Sequence, residues 1–389
     1  MHCERTVRRR RQVDFLKGMD ISSLPEVERF GGKFYDNGKE DDLLRILKAH
    51  GVNSIRVRVW NDPFSEKGEP YGGGGNTLPV SLALAERASL SGMSVLLDLH
   101  YSDAWTDPGK QVKPKAWEGL SFEEMLEKVG EFTEKCVSEF LRAGINLTMV
   151  QVGNEITNGL LWPDGKTPNF KNIVKILRAG ILGVKRAEQN AKDSGIIPRD
   201  RDAIRIMLHL DNGGRNDIYR NWFDSYFSEG GEDFDVIGLS FYPFWHGTLE
   251  DLRENLSDIA VRYGKDLIIA ETSMGFTLED YSSREGLDPK DRKGMAATKE
   301  LADRVKFPMT PEGQKAYMEE LVRIIRSVPG GRGKGYYYWE PAWLPVPGSE
   351  WATEAGIAYM KEKGPGGNEW ANLALFDYEG NALPALDVI

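Results

Sequence analysis

Two glutamates in this chain have the surroundings that acid–base or nucleophilic chemistry requires. Glu155 closes the run Val150-Gln151-Val152-Gly153-Asn154, and Glu271 closes Ile268-Ile269-Ala270. Each run begins apolar, as a strand does, and turns polar at its end. A carboxyl at a strand end is held by the sheet yet faces a cleft, so two of them can share the breaking of one bond. Glycoside hydrolysis uses such a pair: one carboxyl protonates the leaving oxygen, and the other attacks the sugar or activates water. A separation of about 5–5.5 Å implies retention of configuration, and about 6.5–9.5 Å implies inversion.

The rest of the chain must bring these two residues face to face. Short β-branched or aromatic runs predict strands near Phe15–Ile21, Ser54–Trp60, Ser94–His100, Thr148–Glu155, Arg205–Asp211, Val236–Tyr242, Leu267–Thr272 and Gly335–Glu340. Helical patterns lie between them at Asp41–His50, Pro79–Ser91, Ser121–Ala143, Ile173–Asn190, Asp217–Phe227, Leu249–Tyr263 and Pro311–Ser327. Ser121 precedes Glu124 at capping-box spacing, and Thr310-Pro311 puts proline in a first helical turn. Gly51, Gly92 and Gly144 follow helical runs as C-terminal caps do. Alternating strands and helices call for parallel pairing with crossover helices, and eight such units predict an α/β fold, a (β/α)8 TIM barrel. The glycine-rich, aromatic segment Ala342–Asn372 predicts an extended loop after the eighth strand.

Every predicted strand also ends polar or aromatic, for example Arg58-Val59-Trp60, His209-Leu210-Asp211 and Trp339-Glu340. In such barrels the C-terminal strand ends build the active site. Strands four and seven lie on opposite sides of the mouth, which places Glu155 and Glu271 across it. Arg58 is positioned to hydrogen-bond Glu271 and keep it ionised. His100 and His209 either orient the carboxylates, touch substrate, or are satisfied core histidines. Asp103, just past strand three, is a candidate ligand for a sugar hydroxyl. Trp60, Trp105, Trp117, Trp162, Trp245, Trp339 and Trp343 fall at strand ends or just beyond. Aromatic faces stack on the C–H faces of sugars, and Trp105, Trp117 and Trp339 are expected to do so.

Composition narrows the partners. The chain has 389 residues and a net charge of −10, which argues against a nucleic-acid partner and favours a neutral substrate. No run reaches the roughly 18 apolar residues of a membrane span. Two cysteines, Cys3 and Cys136, are too few for a cysteine-based metal site. The histidines at 2, 50, 100, 209 and 246 are scattered, unlike those of a metal-dependent hydrolase. Residues 1–13 are expected to be a disordered tail and 14–389 a single catalytic domain. The tail carries Arg5 and Arg8 to Arg11 but lacks the apolar stretch of a signal peptide, so localisation is not legible.

Several blocks in one order resemble glycoside hydrolase family 53, the arabinogalactan endo-β-1,4-galactanases. They are Phe15-Leu16-Lys17-Gly18-Met19-Asp20-Ile21-Ser22, Arg56-Val57-Arg58-Val59-Trp60-Asn61-Asp62-Pro63, and the stretch from Asp98-Leu99-His100-Tyr101 through Asp107-Pro108-Gly109-Lys110-Gln111. Gln151-Val152-Gly153-Asn154-Glu155-Ile156 and Gly380-Asn381-Ala382-Leu383-Pro384-Ala385-Leu386 complete them. The resemblance implies a retaining glycosidase acting on β-1,4-galactan, with Glu155 as acid/base and Glu271 as nucleophile. It also implies that Asn154 meets the sugar 2-hydroxyl and that Tyr242 hydrogen-bonds the nucleophile. Action outside the cell is expected of such a family.

No cofactor is required. In bacterial members of the family a calcium ion tethers the loop after strand eight to the segment after strand seven. Here that segment reads Leu278-Glu279-Asp280-Tyr281-Ser282-Ser283-Arg284, and only Asp280 and Asp377 stand as oxygen ligands, too few for the roughly 6–8 that calcium takes without main-chain groups or water. Another retaining barrel glycosidase, acting on mannan, xylan or β-glucan, would use the same two glutamates. A non-catalytic carbohydrate-binding barrel would be expected to have lost one of them.

Overall fold

In the computed structural model, which describes residues 15–281, 298–363 and 366–388, eight parallel strands form the centre. They are β1 (Leu16–Asp20), β2 (Ser54–Val59), β3 (Ser94–Leu99), β4 (Leu147–Val152), β5 (Arg205–Leu210), β6 (Val236–Ser240), β7 (Asp266–Thr272) and β8 (Gly333–Trp339). β1 pairs with both β2 and β8, closing the barrel. The helices are α1 (Leu43–Ala49), α2 (Leu78–Leu90), α3 (Phe122–Arg142), α4 (Phe170–Asp193), α5 (Asn216–Ser228), α6 (Leu249–Tyr263) and α7 (Pro311–Arg326). All eight strands and seven helices expected from the sequence are present. Cys3 and the expected tail lie outside the described residues.

The local signals act as their chemistry requires. Ser121 and Glu124 make both bonds of the capping box, and Thr310 caps α7 ahead of Pro311. Gly51, Gly92 and Gly144 take φ of +89°, +76° and +72°, a left-handed region in which a Cβ is penalised. The α3 helix buries Met125, Val129, Val137, Phe140 and Leu141, each burial worth about 1.5–3 kcal/mol.

Side chains alternate along a strand, so residues two apart share a face. On the inner face, Leu16, Leu96, Met149, Met207, Val236 and Ile268 join one buried apolar cluster. Tyr337 completes this plug, and only a glycine at position 18 leaves it room: a Cβ there would meet the ring at 2.3 Å. Two residues further along β3, β4 and β5 the same face turns polar, with Asp98, Gln151 and His209, all buried. The inside of the barrel is thus apolar at the N-terminal end and charged towards the mouth.

Some elements were not foreseen. A helix at Leu24–Arg29 and a hairpin of Phe34–Asp36 with Lys39–Asp41 fill the β1–α1 connection. A second hairpin, Gly159–Leu160 with Gly165–Lys166, follows β4. Each is too short for hydrophobic periodicity to register. The segment after β8 is also more ordered than a plain loop, holding a helix at Glu354–Met360 capped by Thr353. Among the described residues, no helix is long and apolar enough to cross a membrane.

Candidate active site

The C-terminal strand ends surround a cavity of about 400 Å³ whose walls include Glu155, Glu271, Asn154, Arg56, Arg58, His100, Tyr242 and Asp211. The chain bends sharply as it leaves the barrel. Tyr101, Glu155, Asn212 and Glu340, just past β3, β4, β5 and β8, all take positive φ between 47° and 56°. Left-handed geometry costs a non-glycine residue about 1–2 kcal/mol, so the surroundings must enforce it. At Glu155 they do: Gln111 Nε2 donates to the carbonyl of Asn154 (2.8 Å), and Trp222 Nε1 donates to that of Ile156 (3.1 Å).

Glu271 is held from two sides. Arg56 Nη2 lies 2.9 Å from its Oε1, and the Tyr242 hydroxyl donates to its Oε2 at 2.9 Å. The same guanidinium reaches Asp20 (2.8 Å), Asp98 (2.9 Å) and the Asn154 side-chain oxygen (2.8 Å). Burial alone would lower the Arg56 pKa, but Asp98, Glu271 and Asp20 outweigh it, and Arg56 stays a cation. Arg58 pairs with Glu340 (2.6 Å) and Asp20 (3.4 Å). Two guanidinium groups therefore face four carboxylates.

That imbalance appears in the acidities. Burial raises Glu340 to about 7 even beside Arg58. Burial also raises Glu271, while Arg56 and the Tyr242 hydrogen bond pull it back. Glu155 is raised well above the ordinary carboxyl range, first by burial and then by the charges of Glu271 and Asp211. Of the two glutamates, Glu155 is thus the one whose surroundings favour the protonated form, and Glu271 is the one that Arg56 and Tyr242 draw towards the carboxylate. A protonated carboxyl facing an ionised one can give a proton to a leaving oxygen while the other attacks.

Replacing Arg56 by methionine is expected to destabilise the fold by about 3–5 kcal/mol at pH 7, because the buried Asp98 and Glu271 lose their guanidinium and Asp20 loses one of its two. Without it the Asp98 and Glu271 carboxyls titrate at higher pH, so the loss shrinks as the pH falls and they take up protons. Urea unfolding at pH 5 and pH 7 reads both effects; a loss under about 1 kcal/mol at both would mean the pairs hold nothing together.

Three expectations need correction. The guanidinium that reaches Glu271 belongs to Arg56, not Arg58. Both face inward on β2, but Arg58 lies one rung nearer the mouth, where Glu340 takes it and its guanidinium stacks 4.1 Å from the Trp105 ring. Asp103 is buried off the cavity, accepting from the backbone N–H groups of Asp62 (2.9 Å) and Lys115 (2.8 Å). It ties loops together and does not line the cavity. Trp117 packs against Tyr101 and Phe132 beneath the surface.

Other candidates fall where expected. Trp105 and Trp339 line the cavity, joined by Trp245, Trp351 and Trp370. Trp351 and Trp370 come from the segment after β8, expected from its composition as an extended aromatic loop without these two being singled out. His100 lines the cavity, with Nε2 2.9 Å from Asp98. His209 is a buried orienting residue: Nδ1 lies 2.9 Å from the Asn154 oxygen and Nε2 lies 2.9 Å from Ser240 Oγ. Burial and Arg56 lower its pKa far below the ordinary value, so the ring is neutral. Asn154 donates one amide proton to the Thr106 carbonyl at 3.0 Å.

The segments proposed to share calcium are joined by protein contacts. The Tyr378 hydroxyl donates to the Glu279 carbonyl (2.7 Å), and Asn372 Nδ2 donates to that of Thr277 (3.1 Å). The Asp377 carboxylate is engaged within its own turn by Glu379 and Asn381. Among the described residues, no three His, Cys, Asp or Glu side chains, Asp280 included, gather to hold a metal ion. Ser282 to Arg284 lie outside the described residues.

Comparison with known proteins bears on the whole chain. The model of glycosyl hydrolase family 53 matches residues 16–389. An endo-β-1,4-galactanase of Bacillus subtilis is 36% identical over 96% of this chain and 85% of its own. An arabinogalactan endo-β-1,4-galactanase of Thermothelomyces thermophilus is 33% identical over 96% of this chain and 98% of its own. Among solved structures, a family 53 catalytic domain from Ignisphaera aggregans superposes with a TM-score of 0.84, at 39% identity, covering 97% of this chain and 96% of that one.

Proposed function

Because the chain belongs to glycosyl hydrolase family 53, we propose that it is a retaining endo-glycosidase that cuts β-1,4-galactosidic bonds in galactan and arabinogalactan. The observation that carries the mechanism is the asymmetry of the two glutamates: Glu271 is cradled by Arg56 and Tyr242, whereas Glu155 has no such cation among the described residues and is raised by burial and by the Glu271 charge. Glu155 gives its proton to the glycosidic oxygen as Glu271 attacks the anomeric carbon. The bond to the leaving sugar breaks and a galactosyl ester of Glu271 forms. Esterification removes the Glu271 charge, so Glu155, now ionised, deprotonates the water that hydrolyses the ester. Asn154, fixed through Arg56 and His209, hydrogen-bonds the 2-hydroxyl as the ring flattens towards the transition state. Trp105 and Trp339 supply stacking surface. The reaction needs no cofactor, since the two carboxyls supply both acid and nucleophile.

The test is reducing-sugar release from unbranched β-1,4-galactan, with mannan, xylan and β-glucan in parallel. Activity confined to galactan supports the reading; activity confined to another glycan keeps the mechanism and changes the substrate. Proton NMR of the first product tests stereochemistry. The β-anomer is expected to appear first and then mutarotate, and an initial α-anomer would mean inversion, with Glu271 acting as a base.

A further inference from the structure

Asp211, the first residue after β5, lines the cavity. Its position is firmly set. The backbone N–H donates to Thr157 Oγ1 (3.1 Å), in the turn that follows Glu155, and the carbonyl accepts from the Tyr219 hydroxyl (2.9 Å). One carboxylate oxygen takes a hydrogen bond from Asn212 Nδ2. The other, Oδ1, is buried without a hydrogen-bond partner. Buried polar atoms are nearly always paired, so an orphan on a cavity wall points to a donor that arrives with the substrate.

The side of the cleft identifies that donor. Glu155 protonates the oxygen of the departing sugar, so that sugar lies on the Glu155 side. Asp211 follows the strand next to β4, two strands from the one that carries Glu271. We propose that Asp211 binds the departing galactosyl unit, its orphaned oxygen accepting a hydrogen bond from a sugar hydroxyl. The inference rests on the galactanase reading above and extends it to the leaving-group subsite. Burial raises the Asp211 carboxyl to about 6, so at neutral pH it is mainly ionised and a strong acceptor.

Asp211 also adds to the field on Glu155, together with Glu271 and Asp107, so a test must separate binding from electrostatics. The measurement is kcat/KM for Asp211→Asn and Asp211→Ala across the pH profile, on two substrates. β-1,4-Galactotriose departs as a galactose bearing hydroxyls; p-nitrophenyl β-1,4-galactobioside departs as a phenol. On the plateau acid of the alkaline limb, the trisaccharide is expected to lose at least about tenfold and the aryl substrate less than about threefold. An alkaline limb that moves while the plateau stays level would reduce Asp211 to a charge acting on Glu155. Equal losses on both substrates would make it a structural residue; either result overturns the proposal. A wild-type enzyme inactive on galactan and galactotriose would overturn the galactanase reading itself.

Discussion

Glu271→Gln is expected to lower kcat/KM on galactan by about 10⁴-fold or more, a loss of ~5.5 kcal/mol in transition-state stabilisation. The amide preserves shape but cannot form the ester, so no neighbouring group can take over. Folding should not suffer, because the substitution removes one of four carboxylates crowded around two guanidinium groups. Thermal unfolding of the variant is therefore expected at or above the wild-type midpoint. A smaller cavity-opening variant, Glu271→Ala, gives a second check: azide should enter from that face, displace the phenol of an aryl β-galactobioside and yield the α-galactobiosyl azide. Retention of more than a tenth of wild-type activity by Glu271→Gln would remove this residue from the nucleophile's role.

Glu155→Gln should lower galactan hydrolysis by about 10²–10⁴-fold, the usual contribution of a positioned general acid. An aryl substrate, whose leaving group departs without help, should lose far less in its first step. In the wild type, activity should fall as the pH rises through the Glu155 pKa, because only the protonated form donates; the variant should lack that alkaline limb. Stability follows the same proton. Burial raises Glu155 above the ordinary 4.5, so the stability tied to its protonated form is fully present below that value and is lost as pH rises through the folded pKa. Glu155→Gln, neutral throughout, is then expected to match the wild type in acid and exceed it in alkali. Equal unfolding profiles at both ends would mean that burial has not raised this carboxyl.

Strand positions were legible because each strand is a short apolar run that turns polar at one end, and the helices carried caps and period. That Glu155 and Glu271 would line one cavity was legible because both end such strands. Tyr242 was placed by resemblance, and its contact with Glu271 is present at 2.9 Å. The choice between Arg56 and Arg58 was not legible: both face inward, and which one reaches Glu271 depends on the stagger of β2 against β7 across the barrel. Asp103 and Trp117 sit in loops beside residues that do line the cleft, and local sequence does not say which way a loop side chain turns. The orphaned oxygen of Asp211 is a property of packing and has no mark in the chain.

The apolar plug and the charged layer above it also bear on how this protein can change. Leu96, Met149 and Met207 hold the barrel together two residues below Asp98, Gln151 and His209, the buried polar layer that underlies the cleft. Variation in the segments after the strands, including the one that brings Trp351 and Trp370 to the cavity, need not disturb them. A lineage under selection for a new glycan could rebuild its recognition surface while inheriting its foldedness intact. Laboratory libraries confined to those segments should accordingly yield mostly soluble variants, whereas diversity spread into the plug should be purged as aggregates before any activity is screened.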